Sequence, residues 1–468
     1  MIYVAALAPW SAASAAEFGS VMLDLRHPTL PRDTIFAPAS GAGRAAIAVI
    51  RVSGPACARA LDALAPGAPL ADRAATLRAL RDPATSETLD RALVLRFEAP
   101  RSFTGEEMAE LQVTGGRAVV AGVLRALAQV PGLRPAEPGE FAWRAFENGK
   151  LDLSEVEGLA DLVEAETAAQ RRQALRIAGG ALSRESEAIR AKLVEAMALV
   201  EAQIDFSDVE DADALSLTGA RARAAEAATQ VRAALASAAA GARLREGFNV
   251  VIAGPPNVGK STLMNALARR DVSIVSAIPG TTRDLVEVPL ELRGFPVTLV
   301  DTAGIRETDD PIEREGVARA RRRAEEADLT LWLSDAAAPA LPPSSEGATL
   351  RVLTKADQDH GDHAPSSDAI RISALTGTGL DRLLDAIADI AEAGMAGPAP
   401  ALITLERHRI AFADALDALE RALDPSEEAL ELVAEDLRLA ARALERIVGR
   451  IDVEEVLGDI FSRLCVGK

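Results

Sequence analysis

FNVVIAGPPNVGKSTLMNAL (248–267) decides the fold. An apolar run of strand type enters a glycine-bearing loop, and a helix-type segment leaves it. The loop, Gly254-Pro-Pro-Asn-Val-Gly259-Lys260-Ser261, has the G-x-x-x-x-G-K-[ST] spacing that cradles phosphates. Glycines let the backbone N–H groups turn inward toward phosphate oxygens. Asn257, Val258, Gly259, Lys260, Ser261 and Thr262 are the candidate contacts. Lys260 brings a compact charge to the β/γ-phosphates and is a catalytic candidate, while Ser261 offers a hydroxyl to Mg²⁺. The helix that follows aims its positive end at the same place. Taken alone, Asn257 reads as a turn residue.

The remaining parts of a guanine-nucleotide site follow in order. FPVTLVDTAG (295–304) is a buried-type strand ending in Asp301, Thr302, Ala303 and Gly304. Asp301 suits Mg²⁺ through water, and the Gly304 N–H suits the γ-phosphate. SAIPGTTRD (276–284) brings Ser276, Ala277, Ile278, Pro279, Gly280 and Thr281 to the nucleotide, with Thr282 as a second hydroxyl ligand of Mg²⁺. TLRVLTKAD (349–357) ends in Thr354, Lys355, Ala356 and Asp357. A carboxylate there accepts two hydrogen bonds from the guanine edge, and the lysine stem lies along the base. Adenine has no matching pair of donors, so the expected nucleotide is GTP. Ser373, Ala374 and Leu375 close over the base. Two positions depart from the common pattern. Thr354 stands where Asn is usual, and Ile305 stands where many small GTPases carry a water-orienting Gln. No arginine finger is identifiable.

The 468-residue chain is apolar enough (49%) to fold, and its length suits about three domains. No apolar run approaches a membrane span. Two cysteines, Cys57 and Cys465, exclude a disulfide framework, and four histidines leave little for a histidine metal cluster. A cytoplasmic protein is expected. Residues 1–33 imitate a signal peptide without its basic start, and read as a disordered extension or a misassigned start with Met22 as the alternative. The expected fold class is an α+β N-terminal domain (34–150), a discontinuous all-helical domain (151–247 and 394–468) and an inserted α/β P-loop GTPase domain (248–393). Ser154 and Glu157 have the form of a capping box at the first long helical run.

The net charge is −19. Only 34–150, with 14 basic against 12 acidic residues, is not acidic. A protein acting on RNA with this balance would leave much of the grip to a partner. Lysine occurs only at Lys150, Lys192, Lys260, Lys355 and Lys468. Arginine does the rest of the cationic work.

Four stretches together resemble the tRNA-modification GTPase family MnmE (TrmE). They are TIFAPASGAGRAAIAVIRVSGP (34–55), PGEFAWRAFENGKLDLSEVEGLADL (138–162), the two GTPase motifs, and the terminal Cys465-Val-Gly-Lys468. The resemblance spans about 34–468. It implies modification of the wobble uridine, position 34 of certain tRNAs, to a 5-carboxymethylaminomethyl or 5-aminomethyl form. An FAD-dependent partner subunit of the MnmG/GidA type is implied, in a heterotetramer. So is a homodimer made by the N-terminal domain, which binds a 5,10-methylene or 5-formyl tetrahydrofolate. By motif, Arg51, Glu110, Lys150 and Lys468 match the folate positions. The family hydrolyses GTP by dimerising its G domains around potassium. This assigns Asn257 as a potassium ligand, with Ser276, Ile278 and Thr281, and Glu313 as the residue that orients the attacking water. Cys465 reads either as a reactive thiol or as packing. The competing readings are a ribosome-assembly GTPase of the Era-like class and a dynamin-like membrane remodeller. The first would carry a basic RNA-binding appendage, the second a basic or amphipathic membrane contact; neither is evident.

Overall fold

The computed structural model describes residues 33–468 except 42, 206–212, 271–286, 302–326, 338, 340, 343–346, 359–368, 397–400, 425–428, 452–459, 462–463, 465–466 and 468; at 213–216 only the backbone is described. All of the expected N-terminal extension except Asp33 lies outside the described residues. The chain divides into two compact units, 1–151 with 452–468, and 152–451. The terminal stretch from 452 thus groups with the N-terminal unit, not with the helices that precede it.

The first unit is built on a six-stranded sheet in the order β3-β4-β5-β2-β1-β6. Its strands are β1 (Thr34–Pro38), β2 (Ile47–Ser53), β3 (Thr76–Arg81), β4 (Thr88–Phe97), β5 (Met108–Thr114) and β6 (Leu133–Pro135). Alternation sets the two faces. Ala48, Ile50 and Val52 of β2, with Leu111 and Val113 of β5, are buried in one core with α1 (Cys57–Leu64) and α2 (Arg117–Ala128). Arg51 and Glu110 are cross-strand neighbours in the β2–β5 register, with the opposite parity. A third helix, α3 (Glu140–Glu147), carries Arg144. That guanidinium bonds Asp33 (2.9 Å), Glu106 (3.1 Å) and Glu140 (2.9 Å), so its buried charge is matched.

In the second unit, α4 (Leu153–Glu164) opens with a capping box, but on Asp152 and Glu155. The expected pair is displaced by two residues. Asp152 has the extended backbone an N-cap needs, while Ser154 already lies in the helix and bonds Asp152 at 2.8 Å. Then come α5 (Ala168–Ala178), α6 (Ala181–Asp205), α7 (Asp213–Ala236) and α8 (Ala238–Glu246). After the α/β segment, α11 (Glu406–Ala422) and α12 (Leu430–Val448) return to the same core, where Phe412, Leu419, Leu437 and Leu444 pack with Ile189 and Leu193. Apolar residues at 433, 437, 440, 444 and 447 give α12 one buried stripe.

The inserted segment has a six-stranded sheet, order β12-β11-β10-β7-β9-β8. The strands are β7 (Phe248–Ala253), β8 (Glu287–Leu292), β9 (Phe295–Asp301), β10 (Leu329–Asp335), β11 (Ala348–Thr354) and β12 (Ala369–Arg371). All pairings are parallel except β8–β9. Two described helices, α9 (Lys260–Ala268) and α10 (Leu380–Met395), share its core. The carboxyl ends of β7, β9, β10 and β11 therefore point one way, where open α/β sheets bind ligands.

Candidate functional site

Backbone geometry makes the phosphate loop. Gly254 leaves β7 at φ +147, and a Cβ there would meet the Leu333 carbonyl oxygen at 2.3 Å, so only glycine lets the loop run against β10. Gly259, at φ +98, is the N-cap of α9, and the space around its missing Cβ is open to 4 Å. Asn257 holds a left-handed φ of +59 at the exposed tip. The Lys260 ammonium donates to the Gly254 and Pro255 carbonyls, both at 2.9 Å, which holds it across the loop. Ser261 donates to the Asp301 carboxylate at 3.0 Å. Asp301 is buried at the end of β9. The hydroxyl and carboxylate form a pair of hard oxygen donors, the kind Mg²⁺ takes.

The candidate guanine side is assembled from strand ends. Thr354 is buried, and its hydroxyl donates to the Val258 carbonyl at 2.7 Å, with the Ser334 carbonyl at 3.2 Å. The residue at the usual Asn position thus fastens the loop after β11, the candidate guanine reader, to the loop after β7. Lys355 takes a left-handed φ of +57, and its ammonium pairs with Asp335 at 2.9 Å. Ala356 N–H donates to the Ile372 carbonyl at 3.0 Å, holding the loop to the next strand. Asp357 is exposed. Ser373 ties its own turn: its N–H reaches the Thr378 carbonyl at 2.9 Å and its hydroxyl accepts from Thr376 N–H at 3.2 Å. This leaves Leu375, 76% exposed, at the rim.

Lys260, Ser261 and Asp301 are thus brought together, and Thr354 joins Val258. Ser276–Thr282, Thr302, Ala303, Gly304 and Glu313 lie outside the described residues. Asp335 escaped the sequence reading. Its signal was its place at the end of a strand beside the one that carries Lys355.

In the first unit, Arg51 Nε bonds Glu110 at 2.9 Å, its Nη1 reaches the Gly467 carbonyl at 3.3 Å, and its guanidinium lies over the Phe103 ring, 5.3 Å from the centroid. A Cβ on Gly467 would meet the Pro38 carbonyl at 2.2 Å. The tail is pressed onto the end of β1, so that glycine is required. Trp143 stacks edge-on against Phe461 at 5.1 Å. Lys150 lays its stem along the Gly105 turn; no described contact joins it to Arg51 and Glu110. Lys468 and Cys465 lie outside the described residues. Cys57 is buried, which pushes its thiol pKa well up and makes it inert. Among the described residues no group of three His, Cys, Asp or Glu forms a metal cluster, and no helix is long and apolar enough to cross a membrane.

Comparison with known proteins agrees with this layout. The family model described as "GTP-binding protein TrmE N-terminus" matches residues 34–150, and "MnmE helical domain" matches 153–465. The chain is 54% identical over 441 residues to the tRNA modification GTPase MnmE of Beijerinckia indica subsp. indica, covering 93% of this chain and 96% of that one. It is 56% identical over 440 residues to the protein of that name from Methylobacterium sp. (strain 4-46), covering 93% and 100%. Against the Azorhizobium caulinodans protein, also so named, identity is 54% over 441 residues, covering 94% and 100%.

Proposed function

Because the chain belongs to the MnmE (TrmE) family of tRNA modification GTPases, we propose that it spends GTP on modifying the wobble uridine of tRNA. The chain is a GTPase; what is proposed is the use of that activity. The modification is 5-carboxymethylaminomethyl or 5-aminomethyl at position 34, carried out in the cytoplasm with an FAD-dependent partner subunit in a heterotetramer. The carbon comes from a 5,10-methylene or 5-formyl tetrahydrofolate, and the chain acts as a homodimer. The observation that carries the reading is one sheet edge holding the phosphate lysine, the Ser261–Asp301 donor pair and the guanine loop, bolted together by Thr354.

Each residue has a defined task. Lys260 leaves the loop carbonyls for the β/γ-phosphates and offsets their charge. Ser261 and Asp301, with Thr282, hold Mg²⁺, which when bound neutralises the phosphate oxygens. Asp357 accepts from the guanine edge while Lys355, steered by Asp335, lies along the base. Glu313 orients the attacking water. Asn257, with Ser276, Ile278 and Thr281, holds potassium, which supplies the positive charge an arginine finger gives elsewhere. Arg51 and Glu110 offer a donor fork and an acceptor to the pterin and its acidic tail, with Lys150 and Lys468 for anionic parts.

The test is GTP turnover by the full chain. The expected result is faster turnover in potassium than in sodium at equal ionic strength. Equal rates would remove the potassium assignment. Lys150→Ala is expected to weaken folate binding while GTP turnover stays unchanged.

A further inference from the structure

The stretch between Glu166 and Glu185 holds no acidic residue, in a protein of net charge −19. It contains Arg171, Arg172, Arg176 and Arg184. Three of these stand on α5, whose buried side is Ala169, Gln173, Ala174 and Ile177. The opposite side presents Arg171, Arg172 and Arg176 as exposed residues around Leu175, itself 52% exposed. The 3.6-residue period places all four on one outward face.

Two further observations separate this face from an ordinary solvated one. Several arginines on the other long helices are matched by carboxylates: Arg190 by Glu187 at 2.7 Å, Arg232 by Glu420 at 2.9 Å, Arg421 by Asp436 at 2.7 Å and Arg438 by Glu201 at 2.8 Å. Among the described residues, Arg171, Arg172 and Arg176 have no ion pair and no side-chain hydrogen bond. Two features of their placement also oppose helix stability. Arg171 closes the first turn, where the helix dipole favours acids, whereas Arg176 in the last turn suits the dipole. Arg172 and Arg176 are like charges four apart, which repel. The capping box uses neutral Gln170 where Glu would serve equally well, so even the cap adds no negative charge. An anion laid across the face relieves both costs.

We propose that the outward face of α5 is a contact for the phosphate backbone of tRNA. The occupant follows from charge complementarity and from the tRNA reading above, on which this inference rests. Arginine forks suit phosphate oxygens. Arg171 and Arg176 are about 7.5 Å apart along the helix axis at 1.5 Å per residue, a reach that suits successive backbone phosphates. The contact is to the backbone, so it positions the RNA without reading its sequence. It gives an otherwise acidic chain its own share of the grip.

The experiment measures tRNA binding by the full-length chain across a salt series. One variant carries Arg171→Gln, Arg172→Gln and Arg176→Gln; a second carries Lys at the same three positions. Glutamine and lysine are good helix formers, and thermal melting by circular dichroism checks the fold. The glutamine variant is expected to lose affinity about tenfold at low salt and to lower the slope of log K against log salt by about two to three. Its GTP turnover is expected to be unchanged, and the lysine variant keeps most of the binding. Unchanged affinity and slope in the glutamine variant would overturn the proposal, as would an unsubstituted chain that binds no tRNA. If the glutamine variant instead loses a partner protein from its complex while holding tRNA normally, the face is a protein contact and the proposal falls. Modified wobble uridine in a deletion strain complemented with the unsubstituted chain reports separately on the tRNA-modification reading.

Discussion

Thr354 has one hydroxyl proton and two carbonyls within reach. The shorter bond, to Val258, joins the end of β11 to the glycine-bearing loop after β7. An Asn would bring two amide donors to this position; threonine brings one. Thr354→Val keeps the volume but leaves the buried Val258 carbonyl without this donor, a loss of about 1–2 kcal/mol. Weaker GTP and GDP binding by about tenfold is expected, with Thr354→Ser near the unsubstituted value. Isothermal titration reads the difference. If valine binds as tightly as threonine, the hydroxyl does not position the site. Sequence motifs pointed to Lys260, Ser261 and Asp301, which the fold brings together, because phosphate chemistry fixes both type and spacing within short loops. Asp335 was not legible. Its lysine lies 20 residues away, and only the parallel pairing of β10 with β11 brings the two together.

Glu157 shows the same limit among the helices. It reads locally as half of a capping box, yet its carboxylate is buried against Arg407 and His408, about 250 residues on. Arg407 also donates to the Arg446 and Ile447 carbonyls at 3.3 and 3.2 Å. One cluster thus clamps α4, which precedes the inserted segment, to α11 and α12, which follow it. Burial alone would raise the Glu157 pKa, but the His408 and Arg407 hydrogen bonds outweigh it and hold the carboxylate below its ordinary range. Burial likewise holds His408 below its ordinary value, against the pull of Glu157, so the imidazole is neutral in the fold. Glu157→Ala strands the Arg407 charge and is expected to cost about 3 kcal/mol in urea unfolding, with Glu157→Gln costing clearly less. Equal stability of all three proteins would show that the clamp contributes nothing.

The pH dependence has a definite sign. Both groups have folded pKa values below their unfolded ones, so each contributes stability that is lost on acidification. The His408 part goes as pH falls below about 6.5 and the Glu157 part below about 4.5. In a pH series of unfolding free energies, His408→Gln should flatten the first decline, while the second persists in reduced form because Arg407 still holds Glu157. The α5 face is the other element whose meaning lay partly in sequence. Its missing acids are visible there, but the orientation of its arginines needed the packed helix.

At the scale of the whole chain, the charge separates along the sequence. The sheet that pairs Arg51 with Glu110 is the least acidic part, and acidity gathers on the helices and the GTPase segment. Two of the few lysines are held in place by defined partners: Lys260 crosses the loop after β7 to the Gly254 carbonyl, and Lys355 pairs with Asp335. Lys192 has a plain surface role, pairing with Glu226 at 3.4 Å. The fold class was legible because helical texture stopped at a strand–loop–helix motif and resumed after it. The close seating of Gly467 on Pro38 was not, since it joins the chain's end to its first strand.

The central claim, that GTP hydrolysis here serves wobble-uridine modification, is tested most directly by mass spectrometry of tRNA nucleosides. The strain to use lacks the gene and is complemented with the unsubstituted chain or with Lys260→Ala. The expected result is loss of 5-carboxymethylaminomethyl- and 5-aminomethyl-type uridines in the deletion. The unsubstituted chain restores them and Lys260→Ala does not. Full modification in the uncomplemented deletion strain would contradict the account, and restoration by Lys260→Ala would separate the modification from GTP hydrolysis.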